Sequence, residues 1–228
     1  IRDRIGGCGL GVAMISFIYS ITNTSAAITL LCLAAMPFFT ALLAFLFLKE
    51  KISFNVWISI FIATIGIVIM AIGNSEKNSI VGFIFGITSS IGFSIFSVTL
   101  RWRKETPKFT TVAIAGLFCF VIAASVILLK NQPFFSTSYN SSLFSLHGTL
   151  VCIGMILYAI GSKAIPAAEL TLLSLTEVIG GIFWVWLPLF GINEIPTTNT
   201  IVGGFFLFIS LFYYSLIMRW NKRYIALN

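Results

Sequence analysis

The residues with the most chemistry to offer lie in one apolar stretch, residues 174–187, which reads "SLTEVIGGIFWVWL". It places a carboxylate, Glu177, among aliphatic and aromatic side chains. If residues 166–190 form one membrane-spanning helix, Glu177 lies about 16 Å from its start, near the centre of a hydrocarbon core about 30 Å thick. An ionised carboxylate there costs about 2.5–3.5 kcal/mol on insertion scales. We therefore expect Glu177 to face a bundle interior or a wet cavity, or to be protonated.

A polar stripe accompanies this acid at helical spacing. Thr171, Ser174, Gly181 and Trp184 share a face with Glu177 if the helix is continuous. Two hydroxyl groups, a carboxyl group, a glycine that leaves space and a tryptophan ring together suit the lining of a small-molecule cavity. The alternative is an interhelical hydrogen bond from Glu177 that only fixes packing.

Four other helices contribute further candidates. Helix 24–48 has a related stripe in which Ala35 aligns with the acid, and helix 79–100 has serines at small-residue spacing. The candidate cavity residues are Glu177, Ser174, Thr171, Trp184, Thr29, Met36, Ser90 and Ser94. The candidate gating or kink residues are Pro37, Gly181, Tyr19 and Tyr158. The alternatives are close packing for the serines, helix shape for the proline and the interfacial aromatic belt for the tyrosines.

Composition identifies the class of protein that must hold these residues. Of 228 residues, 58% are hydrophobic and only 9% are charged, whereas a soluble domain has about 25% charged residues. Such a chain indicates an integral membrane protein. The predicted spans are residues 5–22, 24–48, 53–72, 79–100, 109–129, 143–165, 166–190 and 198–218. Their uninterrupted apolar character argues against a transmembrane barrel.

The basic residues predict the orientation of these spans. With alternating spans, twelve of the fourteen Lys and Arg residues fall on one side, and only Lys77 and Lys130 fall on the other. The positive-inside rule then places both visible termini in the cytoplasm, in a bacterial cytoplasmic (inner) membrane. The expected partners are the lipid bilayer and a small-molecule substrate, with a homodimer left open. No nucleic-acid partner is expected, because the basic residues are confined to short loops.

An internal repeat is the most informative pattern in the chain. Residues 26–33 read "AAITLLCL" and residues 167–175 read "AAELTLLSL", and five predicted spans separate corresponding points. An odd number of spans inverts the second copy in the membrane. Inverted-topology repeats are typical of secondary transporters, whose substrate site lies near the midplane between the halves.

These segments resemble the EamA domain of the drug/metabolite transporter superfamily. Residues 24–70 are similar to the second part of one such domain, through "PFFTALLAFLFLKE" and "WISIFIATIGIVIM", and residues 166–187 are similar to the same segment of a second domain. The resemblance implies export or uptake of small metabolites, amino acids or drugs by alternating access around a midplane cavity, and we expect export.

The repeat and the resemblance together lead us to expect an all-α integral membrane fold. The chain would show eight transmembrane helices of a ten-helix, five-plus-five inverted-repeat transporter, with the first two helices absent. Residues 1–75 would hold the last three helices of the first repeat, and residues 78–228 the five helices of the second.

An enzyme is not expected. The chain has no HExxH, GxSxG or P-loop motif, and its lone histidine, His147, has no acid nearby in sequence. The four cysteines lack CxxC spacing and are expected to be small buried residues, so we expect neither a metal nor a cofactor. An intramembrane enzyme and a non-transporting scaffold are the alternatives; the first lacks a catalytic cluster, and the second leaves the repeat unexplained.

Overall fold

The computed structural model describes residues 2–50, 52–73, 80–102, 109–131, 133–134, 137–187 and 197–226. This part of the chain is helical with short connections and contains no strand. Its elements are α1 (Arg2–Asn23), α2 (Ala26–Leu33), α3 (Met36–Leu43), a π-helical turn (Ala44–Leu48), α4 (Phe54–Gly73), α5 (Ile80–Trp102), α6 (Phe109–Leu129), α7 (Ser138–Gly161), α8 (Ala167–Leu173), α9 (Leu175–Trp186) and α10 (Thr198–Ala226).

Several of these helices are long and apolar enough to cross a bilayer. Among the described residues, length and composition select Arg2–Asn23, Ile28–Leu48, Ile80–Trp102, Phe109–Leu129 and Ser138–Gly161. Two shorter apolar helices cover Phe54–Ile69 and Ile201–Ile217. The expected all-α membrane class is confirmed at this level. The eight-span count and the ten-helix plan stay predictions.

The predicted span 24–48 is interrupted rather than continuous. Ser25 caps α2 through a hydrogen bond from the Ile28 amide, and the chain turns at residues 34–35 before α3 begins. Pro37, in the first turn of α3, has no backbone N–H to continue the helical ladder. This proline explains why the interruption lies here.

The predicted span 166–190 is interrupted as well, at Ser174, and its last residues lie outside the described part. No proline lies at this second break. Instead, Thr171 Oγ1 donates to the Ala167 and Ala168 carbonyls, and Ser174 Oγ donates to the Thr171 carbonyl at 2.7 Å. Such back-bonding by hydroxyl side chains bends helices. The continuous stripe expected from Thr171 to Trp184 is therefore divided between α8 and α9.

The two interrupted helices pack against each other in opposite directions. Helix α2 contacts α9, and α3 contacts α8. Their contact is part of the largest group of mutually packed buried side chains in the described residues, with Leu31 and Met36 from the first pair and Leu172 and Val178 from the second. The "AAITLLCL" segment thus packs on α9 and the "AAELTLLSL" segment packs on α3, and both contribute to the same buried cluster.

Helices α4 and α10 form a close antiparallel pair. Ser210 Oγ donates to the Ser59 carbonyl at 2.7 Å. One heptad away on each helix, a Cβ atom on Gly66 would lie 2.6 Å from the Gly203 carbonyl oxygen. Only a residue without a side chain permits this approach, so α4 and α10 are held at backbone-contact distance, as small residues allow in membranes.

Helix α5 is the hub that joins the first elements to the later ones. It packs along α1 and against α2, α3 and α8. Ser89 Oγ donates to the Ala13 carbonyl of α1 at 2.8 Å. At the crossing of α1 and α5, a Cβ atom on Gly92 would lie 2.6 Å from the Gly9 carbonyl oxygen. In contrast, α7 touches its neighbours mainly near its C-terminal end. Only 6% of its most apolar 18-residue stretch is buried in the described part of the protein.

We predict that Gly66→Ala destabilises the protein by about 1–3 kcal/mol, because the new methyl group meets a backbone carbonyl that cannot rotate away. The measurement is the midpoint of thermal unfolding in detergent. Gly204→Ala is the matched control, since a Cβ atom at Gly204 meets nothing within 4 Å among the described atoms. Equal midpoints for the two variants would refute the close contact.

Candidate functional site

Glu177 lies in the first turn of α9, directly after the break at Ser174. Its backbone N–H donates to the Ser174 carbonyl at 2.9 Å, and its side chain is exposed in the described part of the protein. The N-terminus of a helix carries a partial positive charge from its unpaired N–H groups. The break therefore brings a compensating dipole to a carboxylate in the middle of an apolar sequence.

Tyr158 of α7 is the second polar group at this site. Its hydroxyl is 2.7 Å from Ser97 Oγ of α5, and the Glu177 carboxylate lies within electrostatic range of it. Its ring is 5.1 Å from the Phe93 ring and 5.9 Å from the Phe96 ring, measured between centroids. Tyr158 is thus packed between helices with its hydroxyl bonded to protein, which does not fit the interfacial-belt alternative.

The other predicted cavity hydroxyls lie inside helix contacts. Ser90 Oγ donates to the Cys32 carbonyl, and Ser94 Oγ lies 2.8 Å from the Ser90 carbonyl of its own helix and 3.2 Å from the Met36 carbonyl. The Cys32 and Met36 carbonyls flank the break between α2 and α3, so the two serines hold the interrupted helix against α5. Thr29 Oγ1 is fully buried, 2.9 Å from Ser20 Oγ of α1.

The stripe predicted on residues 166–190 separates into buried and open parts. Thr171 is fully buried, Ser174 is half-buried, and Glu177 and Trp184 are exposed. Gly181 faces α2, because a Cβ atom there would lie 2.9 Å from Leu30 Cδ1. Thr171 and Gly181 therefore contribute to packing, whereas the Glu177 and Trp184 side chains are open in the described part of the protein.

Tyr19 differs from its predicted counterpart Tyr158. It lies near the C-terminal end of α1, is 41% exposed, and stacks on Phe85 with ring centroids 5.3 Å apart. This position fits the aromatic belt that was its alternative. The two tyrosines are therefore not equivalent in their surroundings.

An ion pair that the sequence did not predict closes one end of the bundle. Arg101 Nε, at the end of α5, donates to Glu50 Oε1 at 2.8 Å, and its guanidinium also donates to the Lys163 carbonyl at 3.1 Å. Beneath it, Ala44, Val98 and Ala167 form a small buried apolar cluster. Arg101 thus ties the end of the π-helical turn to the α7–α8 connection.

A second tether links α8 to α10. The Tyr214 hydroxyl donates to Glu169 Oε2 at 2.6 Å. Glu169 is an acid in the first turn of α8, and no pattern within that helix identifies Tyr214, 45 residues later in the chain, as its partner.

The cysteines and acids do not form a metal centre in the part of the chain that the structure describes, which has no group of three or more His, Cys, Asp or Glu side chains. Cys32 is buried as expected. Cys8 and Cys152 are exposed, contrary to the expectation that all four are buried. Their helices turn these faces outward, and sequence hydropathy does not distinguish a lipid-facing from an interior apolar position.

Comparison with known proteins agrees with this architecture. Residues 5–72 match the EamA-like transporter family. A protein of Helicobacter pylori strain J99, named an uncharacterized transporter, is 28% identical over 183 residues, which are 76% of this chain and 60% of that protein. The uncharacterized transporter YdfC of Bacillus subtilis strain 168 is 26% identical over 195 residues, or 80% of this chain and 60% of that protein. The chain thus spans about 60% of the length of these relatives.

One solved crystal structure superposes on 95% of this chain and 76% of its own, with a TM-score of 0.67 and 14% identity. At that identity the likeness concerns the fold alone. The family match over residues 5–72, the relatives named as transporters and the apolar helices agree in one respect: the first part of the chain is similar to the EamA-like transporter family, as the resemblance in its sequence implied.

Proposed function

We propose that the protein is a secondary transporter that exports small metabolites, amino acids or drugs by alternating access. The observation that carries this proposal is the crossing of two interrupted helices, α2 on α9 and α3 on α8. Interrupted helices that meet near the midplane provide the substrate site in many transporters built from inverted repeats. The names of the relatives support the same class of protein, and the export direction is part of the proposal.

Glu177 is the proposed centre of the substrate site. It would bind an amine or other cationic group of the substrate, or carry a proton. Its position after a break, at the positive end of α9, lowers the cost of keeping a carboxylate in the membrane. The aligned residue of the first repeat is Ala35, so the charge of the cavity would come from the second half alone. Tyr158 and Ser97 would form the adjacent wall.

The proposed full-length protein has ten helices, with two more helices preceding Ile1. Two facts support this plan. The matched relatives are longer than this chain, and most of the α7 surface is not covered by other described residues. In the proposed symmetry α7 corresponds to α1, which packs along α5 and α6. The two further helices would lie on α7 as α5 and α6 lie on α1, and would enclose Glu177.

The end of the bundle at Arg101 is proposed to be a gate on the cytoplasmic side. Glu50 belongs to the first proposed half, whereas Arg101 and Lys163 belong to the second. Access from that side requires these contacts and the Ala44–Val98–Ala167 cluster to separate. The described conformation would then be open only towards the opposite side.

Glu177→Gln is expected to abolish or decouple transport, with at least a tenfold loss of rate, because the amide neither carries a proton nor attracts a cation. The measurement is uptake and efflux of radiolabelled amino acids and cationic dyes by proteoliposomes that contain the full-length protein.

Glu169→Gln is the matched control for that experiment. It makes the same substitution on the preceding helix segment, where the side chain already accepts from Tyr214 and an amide oxygen can still accept. We expect it to transport at the native rate. Transport at the native rate by Glu177→Gln would contradict the proposed role of the acid. If the native protein transports none of the tested solutes, the proposal that it is a transporter is contradicted.

Gly148→Leu is expected to destabilise the full-length protein or prevent its folding, although a Cβ atom at Gly148 would meet nothing within 4 Å among the described atoms. It lies ten residues before Tyr158, as Gly9 lies ten residues before Tyr19, and Gly9 contacts the Gly92 backbone. Thermal unfolding of the full-length protein tests this, with Gly116→Leu on α6 as the control. A Gly148→Leu variant as stable as the control would argue against a helix on this face.

Glu50→Gln is expected to loosen the proposed gate and to raise the labelling rate of a cysteine placed at Val98 at least threefold, because Arg101 loses its charged partner. The readout is reaction with a membrane-impermeant maleimide in a full-length variant whose native cysteines are replaced. Lys49→Gln, which removes an adjacent exposed charge but leaves the ion pair intact, is the control. Unchanged labelling in Glu50→Gln would contradict the gate.

A further inference from the structure

A groove of about 480 Å³ runs along the outer side of the α1–α5 contact. Its volume lies within the range of ligand-binding pockets. The residues that line it are Arg4, Ile5, Cys8, Gly9, Val12, Thr88, Ile91, Gly92 and Ile95. The close approach at Gly9 and Gly92 forms its floor, because neither residue has a side chain to fill the space between the helices.

The accessible surface of the groove is entirely apolar, and the one charged residue that borders it, Arg4, lies at the end nearest the start of α1. Ile5, Cys8 and Val12 supply its α1 wall, and the Thr88 hydroxyl is already engaged with the Ile84 carbonyl at 2.8 Å. Arg4 is the only charged residue of the lining, and it is exposed. A slot for a hydrocarbon chain with a cation at its mouth is complementary to one class of molecule, an anionic phospholipid.

The dimensions along the membrane fit one leaflet. Arg4 to Val12 covers eight residues of α1, which is about 12 Å at 1.5 Å per residue. Half of a hydrocarbon core about 30 Å thick is about 15 Å. An acyl chain lying in the groove would therefore extend from the headgroup level at Arg4 towards the bilayer centre near Val12.

A second cation marks the same headgroup level. The Arg2 guanidinium lies 4.4 Å from the centroid of the exposed Trp102 ring, at the end of α5. Tryptophan concentrates at the membrane–water interface, so the ring indicates the depth of the neighbouring Arg4. The groove also occupies a different face of α5 from Ser90, Ser94 and Ser97, which face the helices of the candidate transport site.

We propose that the α1–α5 groove binds one anionic phospholipid, with an acyl chain on Gly9 and Gly92 and the phosphate at Arg4. This site is separate from the proposed substrate site and does not depend on transport. The lipid would fill the space that the glycine contact leaves open, and would hold α1 and α5 together at their membrane surface.

Native mass spectrometry of the full-length protein in detergent tests the proposal, with phosphatidylglycerol and phosphatidylcholine of identical acyl chains as probes. The native protein is expected to retain one phosphatidylglycerol in preference to phosphatidylcholine. Arg4→Gln is expected to weaken phosphatidylglycerol binding about fivefold, the value of one basic residue near a membrane surface, and to leave phosphatidylcholine binding unchanged.

Cys8→Phe is expected to weaken the binding of both lipids at least fivefold, because the ring occupies the groove. Ser125→Phe, which adds the same ring at an exposed position of α6, is the control and is expected to bind as the native protein does. Equal phosphatidylglycerol binding by the native protein and Arg4→Gln would overturn the proposal. Equal losses of lipid binding in Cys8→Phe and Ser125→Phe would also overturn the proposal. So would lipid-free dimers that Cys8→Phe dissociates and Ser125→Phe does not, because such dimers would assign the groove to a second copy of the chain.

Discussion

The arrangement of this bundle depends on how backbone groups are satisfied where two helices are interrupted in an apolar sequence. Hydrocarbon offers no hydrogen-bond partner, so a carbonyl released by a break must find one within the protein. At the first break, the Ala35 N–H donates to the Cys32 carbonyl, and the Ser90 and Ser94 hydroxyls of α5 reach the Cys32 and Met36 carbonyls on either side of the break. At the second break, Thr171 and Ser174 supply donors from the same helix. The first break therefore also uses donors from α5, whereas the second is stabilised locally.

This difference determines what surrounds each break. The first break is enclosed, with Cys32 and Met36 buried against α5. The second leaves the first turn of α9 open, and Glu177 occupies that turn. An open helix start with a dipole is a place where a carboxylate costs less than in a continuous span. The acid is therefore located where the local structure best tolerates its charge.

Hydropathy predicted most of the helix positions and little of their internal structure. The predicted 79–100 and 109–129 runs correspond to α5 (Ile80–Trp102) and α6 (Phe109–Leu129) within two residues, because apolar length directly reflects the membrane. Pro37 indicated the first break through its missing N–H. The second break has no comparable marker, since threonine and serine bend a helix only where their hydroxyls turn back onto it.

The site was predictable only in its local features. Glu177 stands out from the sequence because a single acid in an apolar run is rare. The contacts of Tyr158 with Ser97, Tyr214 with Glu169 and Arg101 with Glu50 join residues far apart in the chain. No periodicity within one helix specifies such partners. The spacing of the α5 serines indicated close helix packing as the alternative to a cavity lining, but which carbonyls they bond depends on the break they face.

The contacts also differ in how easily they could separate. Glycine contacts at backbone distance join α4 to α10 and α1 to α5, and they leave no side chain whose rotation could accommodate a shift. The Arg101 end is held instead by one ion pair, one hydrogen bond and a cluster of small apolar side chains. Ion pairs that are partly open to water contribute little net stability. Separation would therefore be easier where Arg101 meets Glu50 than at the α4–α10 and α1–α5 glycine contacts, which join the two proposed halves at backbone distance.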